Sequence, residues 1–94
     1  TGAPRAWSGD AVAFAKRDLR VGEKLDGEGG YTVYGKLMPA RMSKAQNALP
    51  IGLAHHLTLN RNVAIDHVVT WNDVDFDPTD PAIRFRKEME DTFG

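Results

Sequence analysis

A mainly β fold is predicted: a compact β core with a pseudo-twofold repeat, short helical turns and a C-terminal α-helix. Three observations carry that expectation. First, the stretches 15–25 and 59–69 echo one another: with Arg17 set on Arg61, Asp18 meets Asn62, Leu19 meets Val63, Val21 meets Ile65, Gly22 meets Asp66 and Leu25 meets Val69. Second, each stretch spaces its apolar residues two apart around turn-forming residues, which reads as strand, tight corner, strand. A unit this short cannot bury its apolar face alone, so two copies packed about a pseudo-twofold axis give one core. Third, the period changes after Asp80. An acidic N-cap and a proline at the first helical position precede Ala82, Phe85, Met89 and Phe93 along one face, with Gly94 as C-cap.

Taken in order, residues 1–9 read as a linker, and a chain that starts at Thr1 reads as a segment excised from a longer protein. Asp10 to Lys16 alternates as a strand, with Val12 and Phe14 on one face and small alanines on the other. Asp18 to Gly22 forms the first corner, where Gly22 takes positive φ without penalty. Asp66 holds the matching place in the second corner and tolerates left-handed backbone less comfortably. Three glycines in Asp26 to Gly30 predict a loop, and Tyr31 to Met38 a strand closed by Pro39, which lacks an amide hydrogen. Arg41 to Asn47 predicts a short helical turn, and Pro50 and Gly52 stop it from lengthening before an apolar corner at Ile51 to Leu53. His56 to Asn60 and Val68 to Trp71 resume the β pattern, with Trp71 expected in the core. The domain proper is expected over residues 10–78 and the amphipathic helix over 79–94. On the helix, Arg84/Glu88, Arg86/Glu90 and Lys87/Asp91 are expected on the wet side, so the apolar stripe must supply its stability.

Composition narrows the function classes. The 94 residues, 41% of them apolar, suffice for one small domain. Charged residues make up 27% with a net charge of -1, so the surface offers no electrostatic attraction for nucleic acid or an anionic membrane, and neither is expected as a partner. Cysteine is absent, which excludes a disulfide framework and fits a cytoplasmic setting. No apolar run approaches membrane-spanning length.

Asp18 to Leu25, Leu49 to Leu53 and Leu59 to Val74 together resemble a SAF domain, the β-clip module also found in type III antifreeze proteins, sialic acid synthases and sugar-acid dehydratases. More narrowly, Leu25 to Leu37, with its Gly29-Gly30-Tyr31 run, and Ala48 to Ala54, with Leu-Pro-Ile-Gly-Leu, resemble the C-terminal domain of homoserine-dehydrogenase-like NAD(P)-dependent oxidoreductases, a group that includes the deoxyxylulose-phosphate reductoisomerase-like enzymes. The resemblance covers about Asp10 to Phe76, and Asp66 departs from it where the family has glycine. It implies upstream nucleotide-binding and catalytic domains of the same protein as partners, and NAD(P) as cofactor of the parent enzyme. No cofactor is expected in this chain, because Gly27, Gly29 and Gly30 lead into a strand pattern instead of the helix that a pyrophosphate site needs.

The chemistry-bearing residues are few. Tyr31 and Tyr34 lie in a glycine-rich loop, Gly27 to Gly35, that is able to close on a ligand, while the competing reading is a flexible hairpin connection. Lys36 and Arg41 suit a carboxylate or phosphate, arginine by a two-pronged contact, although isolated basic residues are mostly solvated. These four are the candidate substrate or domain contacts. His55 and His56 would point to opposite faces of a strand and so make a poor metal pair. Asp73, Asp75, Asp77 and Asp80 lack the glycine and distal glutamate of a calcium loop and read as a solvated connector. Neither Ser8 nor Ser43 can be tied to a base, so no catalytic residue and no metal site is expected. The expected function is a non-catalytic accessory domain that shapes or covers a neighbouring substrate site or joins subunits. The alternative is an independent module binding a sugar acid or hydroxy acid. Ice binding is disfavoured by the charge content. A helix that lost its partner on excision would expose Phe85, Met89 and Phe93 and tend to dimerise, so a homo-oligomer is among the expected partners.

Overall fold

The computed structural model describes residues 9–93. Its strands form two sheets, and a C-terminal helix follows them. Strand β1 (Gly9–Ala15) pairs antiparallel with β3 (Val33–Pro39), in register from Gly9 opposite Pro39 to Ala15 opposite Val33. The second sheet has the order β2 (Lys24–Asp26), β4 (His55–Leu59), β5 (Val74–Asp75), all antiparallel neighbours. Helix α1 (Ala40–Ala45) follows β3 directly, and 3₁₀ turns occupy Ile51–Leu53 and Trp71–Asp73. Helix α2 (Pro81–Phe93) ends the described chain. Gly9 belongs to β1, while the rest of the expected linker and the Gly94 C-cap lie outside the described residues.

The alternation in Asp10 to Lys16 lets β1 work on both sides. Ala13 and Ala15 are fully buried beside Val12, and Gly35 on β3 sits so close to Ile51 that an added Cβ would lie 3.3 Å from its side chain. Small residues on this face admit the Ile51 turn against the sheet. The free edge of β1 also binds the middle of the chain: the Ala13 amide donates to Leu49 O at 2.9 Å, and the Val69 amide donates to Ala13 O at 2.8 Å. Leu19, Leu25, Leu49, Leu59, Val33, Val69 and Trp71 fill the core between the sheets.

The two corners, 18–22 and 62–66, lock each other. The Leu19 amide donates to Val63 O at 2.8 Å, and the Val63 amide returns a bond to Leu19 O at 3.0 Å. The Gly22 amide donates to Leu59 O and the Asp66 amide to Ala15 O, both at 2.8 Å. The Val21 amide donates to Asn62 Oδ1 at 2.8 Å, and the Ile65 amide to Asp18 Oδ1 at 2.9 Å. Each bond has a counterpart at the spacing that separates Arg17 from Arg61. The short acceptors Asp18 and Asn62 therefore each satisfy an amide of the opposite corner. Gly22 has φ +94 and Asp66 has φ +66, so aspartate does adopt the left-handed geometry at the second corner, and its carboxylate accepts the Tyr34 hydroxyl at 3.0 Å.

Helix α2 packs through a different face from the expected one. Of the expected stripe, Phe85 is 69% exposed, Ala82 is exposed and Met89 is half-buried, whereas Ile83 and Arg86 are buried and Lys87 and Glu90 are half-buried. The side chain of Phe93 lies outside what the structure describes. Arg86, expected on the wet side, reaches the start of β1: its Nη1 donates to Asp10 Oδ1 at 3.0 Å, its Nη2 bonds Asp10 Oδ2, and its Nε bonds Glu90 Oε2 at 2.7 Å. The buried Ser43 hydroxyl of α1 donates to Asp10 Oδ2 at 2.5 Å, so one carboxylate ties β1, α1 and α2 together. Burial opposes the charge on Arg86, and its bonds to Asp10 and Glu90 outweigh that, holding its pKa above the usual value. Lys87 lies 4.1 Å from the Trp71 ring centroid, with its alkyl stem available to cover the ring, and burial lowers its pKa. Of the three expected surface pairs, Arg84 and Glu88 remain an exposed contact at 3.9 Å.

Candidate functional site

The glycine-rich loop is drawn in tightly. The Asp26 carboxylate accepts the Tyr31 amide at 2.7 Å, the Thr32 amide at 3.0 Å and the Thr32 hydroxyl, while the Asp26 amide donates to Thr32 Oγ1 at 3.1 Å. From outside, Lys16 Nζ donates to Gly30 O at 2.7 Å. Gly27 and Gly29 have φ of +81 and +87, and a Cβ on Gly30 would strike the Asp26 carboxyl at 2.3 Å. The glycines thus allow the loop to close on one aspartate. The result is a braced loop from which Tyr31 projects, 82% exposed.

The hydrogen bonds from Thr32 and Tyr31 hold Asp26 at a pKa of about 2, well below the ordinary carboxylate value. A depressed folded-state pKa contributes stability that is fully present above the unfolded value near 4 and is lost as pH falls through about 2. We therefore expect the Asp26 side-chain carbon to titrate near pH 2 by NMR, with the Tyr31 and Thr32 amide shifts following it. Titration in the ordinary aspartate range would contradict the loop geometry, and Asp26→Asn is expected to abolish the low-pH transition of those two amides.

The four expected contact residues are not gathered in one place. Tyr34 and Lys36 share a face of β3: Tyr34 stacks on Phe14 with ring centroids 5.8 Å apart, and Lys36 Nζ lies 5.5 Å from the Phe14 ring. Donation to Asp66 raises the Tyr34 hydroxyl pKa above its ordinary value. Tyr31 stands apart on the loop preceding the strand, and Arg41 is exposed on α1 beyond the far end of β3. The sheet thus assembles Phe14, Tyr34 and Lys36 into an aromatic platform with one cation, and Tyr31 and Arg41 are separate from it.

A second feature is a groove of about 610 Å³ where β4, β5 and the start of α2 meet. Leu53, Leu57, Phe76 and Ile83 supply its apolar lining, with His55, His56, Asp75, Asp77 and Asp80 as polar lining. Alternation predicts that the histidines diverge. Instead their rings meet edge to face at 5.1 Å, because His56 has φ +62 and β4 carries a bulge here: Lys24 pairs with Thr58 but Asp26 with His55. The extra residue turns both imidazoles to one side. No pattern in the sequence marks that bulge. Most of the carboxylates serve local structure. Asp80 accepts the Ala82 amide at 2.9 Å as a helix cap, and Asp77 accepts the Thr79 amide and hydroxyl, which lower its pKa. Asp73, expected in a solvated connector, is buried and forms a capping box with Thr70. Among the described residues no group of three or more histidines and carboxylates is placed to hold a metal ion. The groove offers an apolar floor with weakly committed hydrogen-bonding groups, suited to seating a side chain or a small, partly apolar guest.

No family model matches the chain, and no curated protein matches it. No helix among the described residues is long and apolar enough to cross a membrane.

Proposed function

We propose that the chain is a β-clip domain of the SAF type, its two halves related by a pseudo-twofold axis, and that it serves as a non-catalytic accessory domain of a larger NAD(P)-dependent oxidoreductase. The observation that carries the reading is the set of reciprocal hydrogen bonds across the two corners, each repeated at the spacing of Arg17 and Arg61. Such crossed bonds make a stiff body, and a stiff body is what an accessory domain needs in order to hold contact residues at a neighbouring site. Tyr31, presented outward from a loop braced by Asp26, is the side chain best placed to reach another domain, and the Phe14, Tyr34 and Lys36 platform is a separate contact surface. Hydride transfer and NAD(P) binding belong to the upstream domains in this reading.

Removing residues 10–94 from the full-length enzyme is expected to raise KM or dissolve the oligomer while the upstream nucleotide-binding unit still takes up NAD(P). Unchanged KM, kcat and oligomeric state would overturn the proposal, as would an upstream sequence without a glycine-rich strand-to-helix turn. The alternative reading, an independent module for sugar acids or hydroxy acids, is opposed at the groove by Asp75, Asp77 and Asp80, whose charges repel a carboxylate guest. Saturable binding of such an acid to this chain alone, followed by amide chemical shifts, would restore it.

A further inference from the structure

We propose that the groove between β4, β5 and the start of α2 seats an arginine side chain presented by a neighbouring polypeptide segment, with its alkyl stem on the apolar floor and its guanidinium among the rim carboxylates. The charge of the lining sets up the argument. Asp75, Asp77 and Asp80 line the groove, and among the described residues no lysine or arginine does. Lys87 comes within 5.6 Å of the Phe76 ring centroid, but it is outside the lining and closer to the Trp71 ring. Even with both lining histidines protonated, three carboxylates leave the groove net negative. None of the three is ion-paired with a described residue. Each is held by one oxygen alone. Asp75 Oδ1 accepts Asn60 Nδ2 at 3.3 Å, Asp77 Oδ1 accepts the Thr79 amide at 2.9 Å and hydroxyl at 2.6 Å, and Asp80 Oδ1 accepts the Ala82 amide at 2.9 Å. Among the described residues their Oδ2 atoms accept no hydrogen bond, so three positioned acceptors remain for a cation that enters the groove.

The floor selects among cations. Leu53, Leu57 and Phe76 pack on the core cluster, which fixes the apolar surface in place, and His55, His56 and Phe76 add planar rings to the lining. Arginine brings an alkyl stem to cover such a floor and a planar, weakly hydrated guanidinium that stacks on rings and forks onto carboxylates. Lysine ends in a compact, strongly hydrated ammonium, which loses more water on entering the same groove. A polypeptide segment suits the opening better than a free small molecule. The volume of about 610 Å³ exceeds that of one side chain, and the lining histidines and aspartates are exposed, so the groove lies open to solvent. Small guests need enclosure to be held, whereas a segment with contacts on either side of its arginine does not. The inference does not rest on the accessory-domain reading, since it concerns the surface of this chain alone.

Titration of the 94-residue chain with the peptide acetyl-Leu-Arg-Leu-amide, followed by amide chemical shifts, tests the proposal. We expect saturable shifts centred on Leu57, Asp75, Phe76 and Ile83, weakening as salt is raised. The counterpart peptide with citrulline in place of arginine keeps the shape and loses the charge, and it is expected to bind at least about fivefold more weakly. The lysine counterpart is expected to fall below the arginine peptide as well. The double variant Asp75→Asn/Asp77→Asn keeps an Oδ1 acceptor for Asn60 and Thr79, so it should fold, and it is expected to weaken the arginine peptide about fivefold to tenfold. Glu88→Gln removes one negative charge from the exposed side of α2, outside the groove, and is expected to leave binding unchanged. Absence of saturable shifts at the groove would overturn the proposal. So would equal binding of the citrulline or lysine peptide, undiminished binding by the folded double variant, or a loss in Glu88→Gln as large as in that variant.

Discussion

Arg86→Ala is expected to cost about 3–5 kcal/mol of folding stability, the range for breaking a buried ion pair by removing one partner. Domains of this size are stable by only about 5–15 kcal/mol in total, so the variant should melt at least about 12 °C lower. The cost arises from what stays behind. The Asp10 side chain is 7% exposed, and without the guanidinium its carboxylate loses two charge-assisted bonds in that buried setting. Glu90 loses its 2.7 Å partner at the same time. Because Asp10 begins β1 and Ser43 lies in α1, the loss should spread beyond the helix, and amides of both elements should exchange faster. The double variant Asp10→Leu/Arg86→Met is expected to lose less than the sum of its single changes, since the apolar pair removes the Asp10 charge and leaves only Glu90 without its Arg86 partner. Additive losses, or a loss below about 1 kcal/mol for Arg86→Ala, would place the pair among weakly coupled surface ion pairs.

This network also marks where the sequence stops being readable. The corners were legible because their determinants are local: apolar residues two apart, a short acceptor at Asp18 and Asn62, and a left-handed position at Gly22 and Asp66. The structure places Leu19 and Val63, which the alignment pairs, opposite one another. The strands at β1 and β3, the turn at α1 and the burial of Trp71 were legible for the same reason. The packed face of α2 was not. Periodicity favours Ala82, Phe85 and Met89, yet Asp10, far away in sequence, draws Arg86 inward, and the Trp71 ring draws the stem of Lys87. Long-range partners of this kind leave no periodic trace. The histidine pair escaped detection through the bulge at His56, which reverses the alternation on which side-chain direction was read. Among the candidate contacts, the spacing of Tyr34 and Lys36 sufficed to place them on one face. The separation of Arg41 depends on where β3 ends, and the bracing of Tyr31 depends on Asp26.

Trp71→Ala is expected to be similarly severe, at about 3–5 kcal/mol, with its effect concentrated on α2. The indole is 2% exposed in the 3₁₀ turn 71–73 and meets Phe76 edge to face at 4.9 Å, while Lys87 lies over its ring at 4.1 Å. Truncation would remove the aromatic contact and the cation's partner together, and would open a cavity beside the groove lined by Phe76 and Ile83. Trp71→Phe separates packing from polarity. Among the described residues the buried indole Nε1 meets no acceptor, so phenylalanine discards an unsatisfied donor while keeping a ring for Lys87. We expect that variant to lose less than about half of what alanine loses, because the lost ring volume is partly offset by relief of the donor. Thermal melts give the totals, and hydrogen exchange along residues 81–93 gives the distribution. If Trp71→Ala left α2 as protected as in the parent, the helix would have to be held by the burial of Ile83 and the bonds of Arg86 without help from the indole. If phenylalanine proved as costly as alanine, the indole N–H would have to be satisfied in solution.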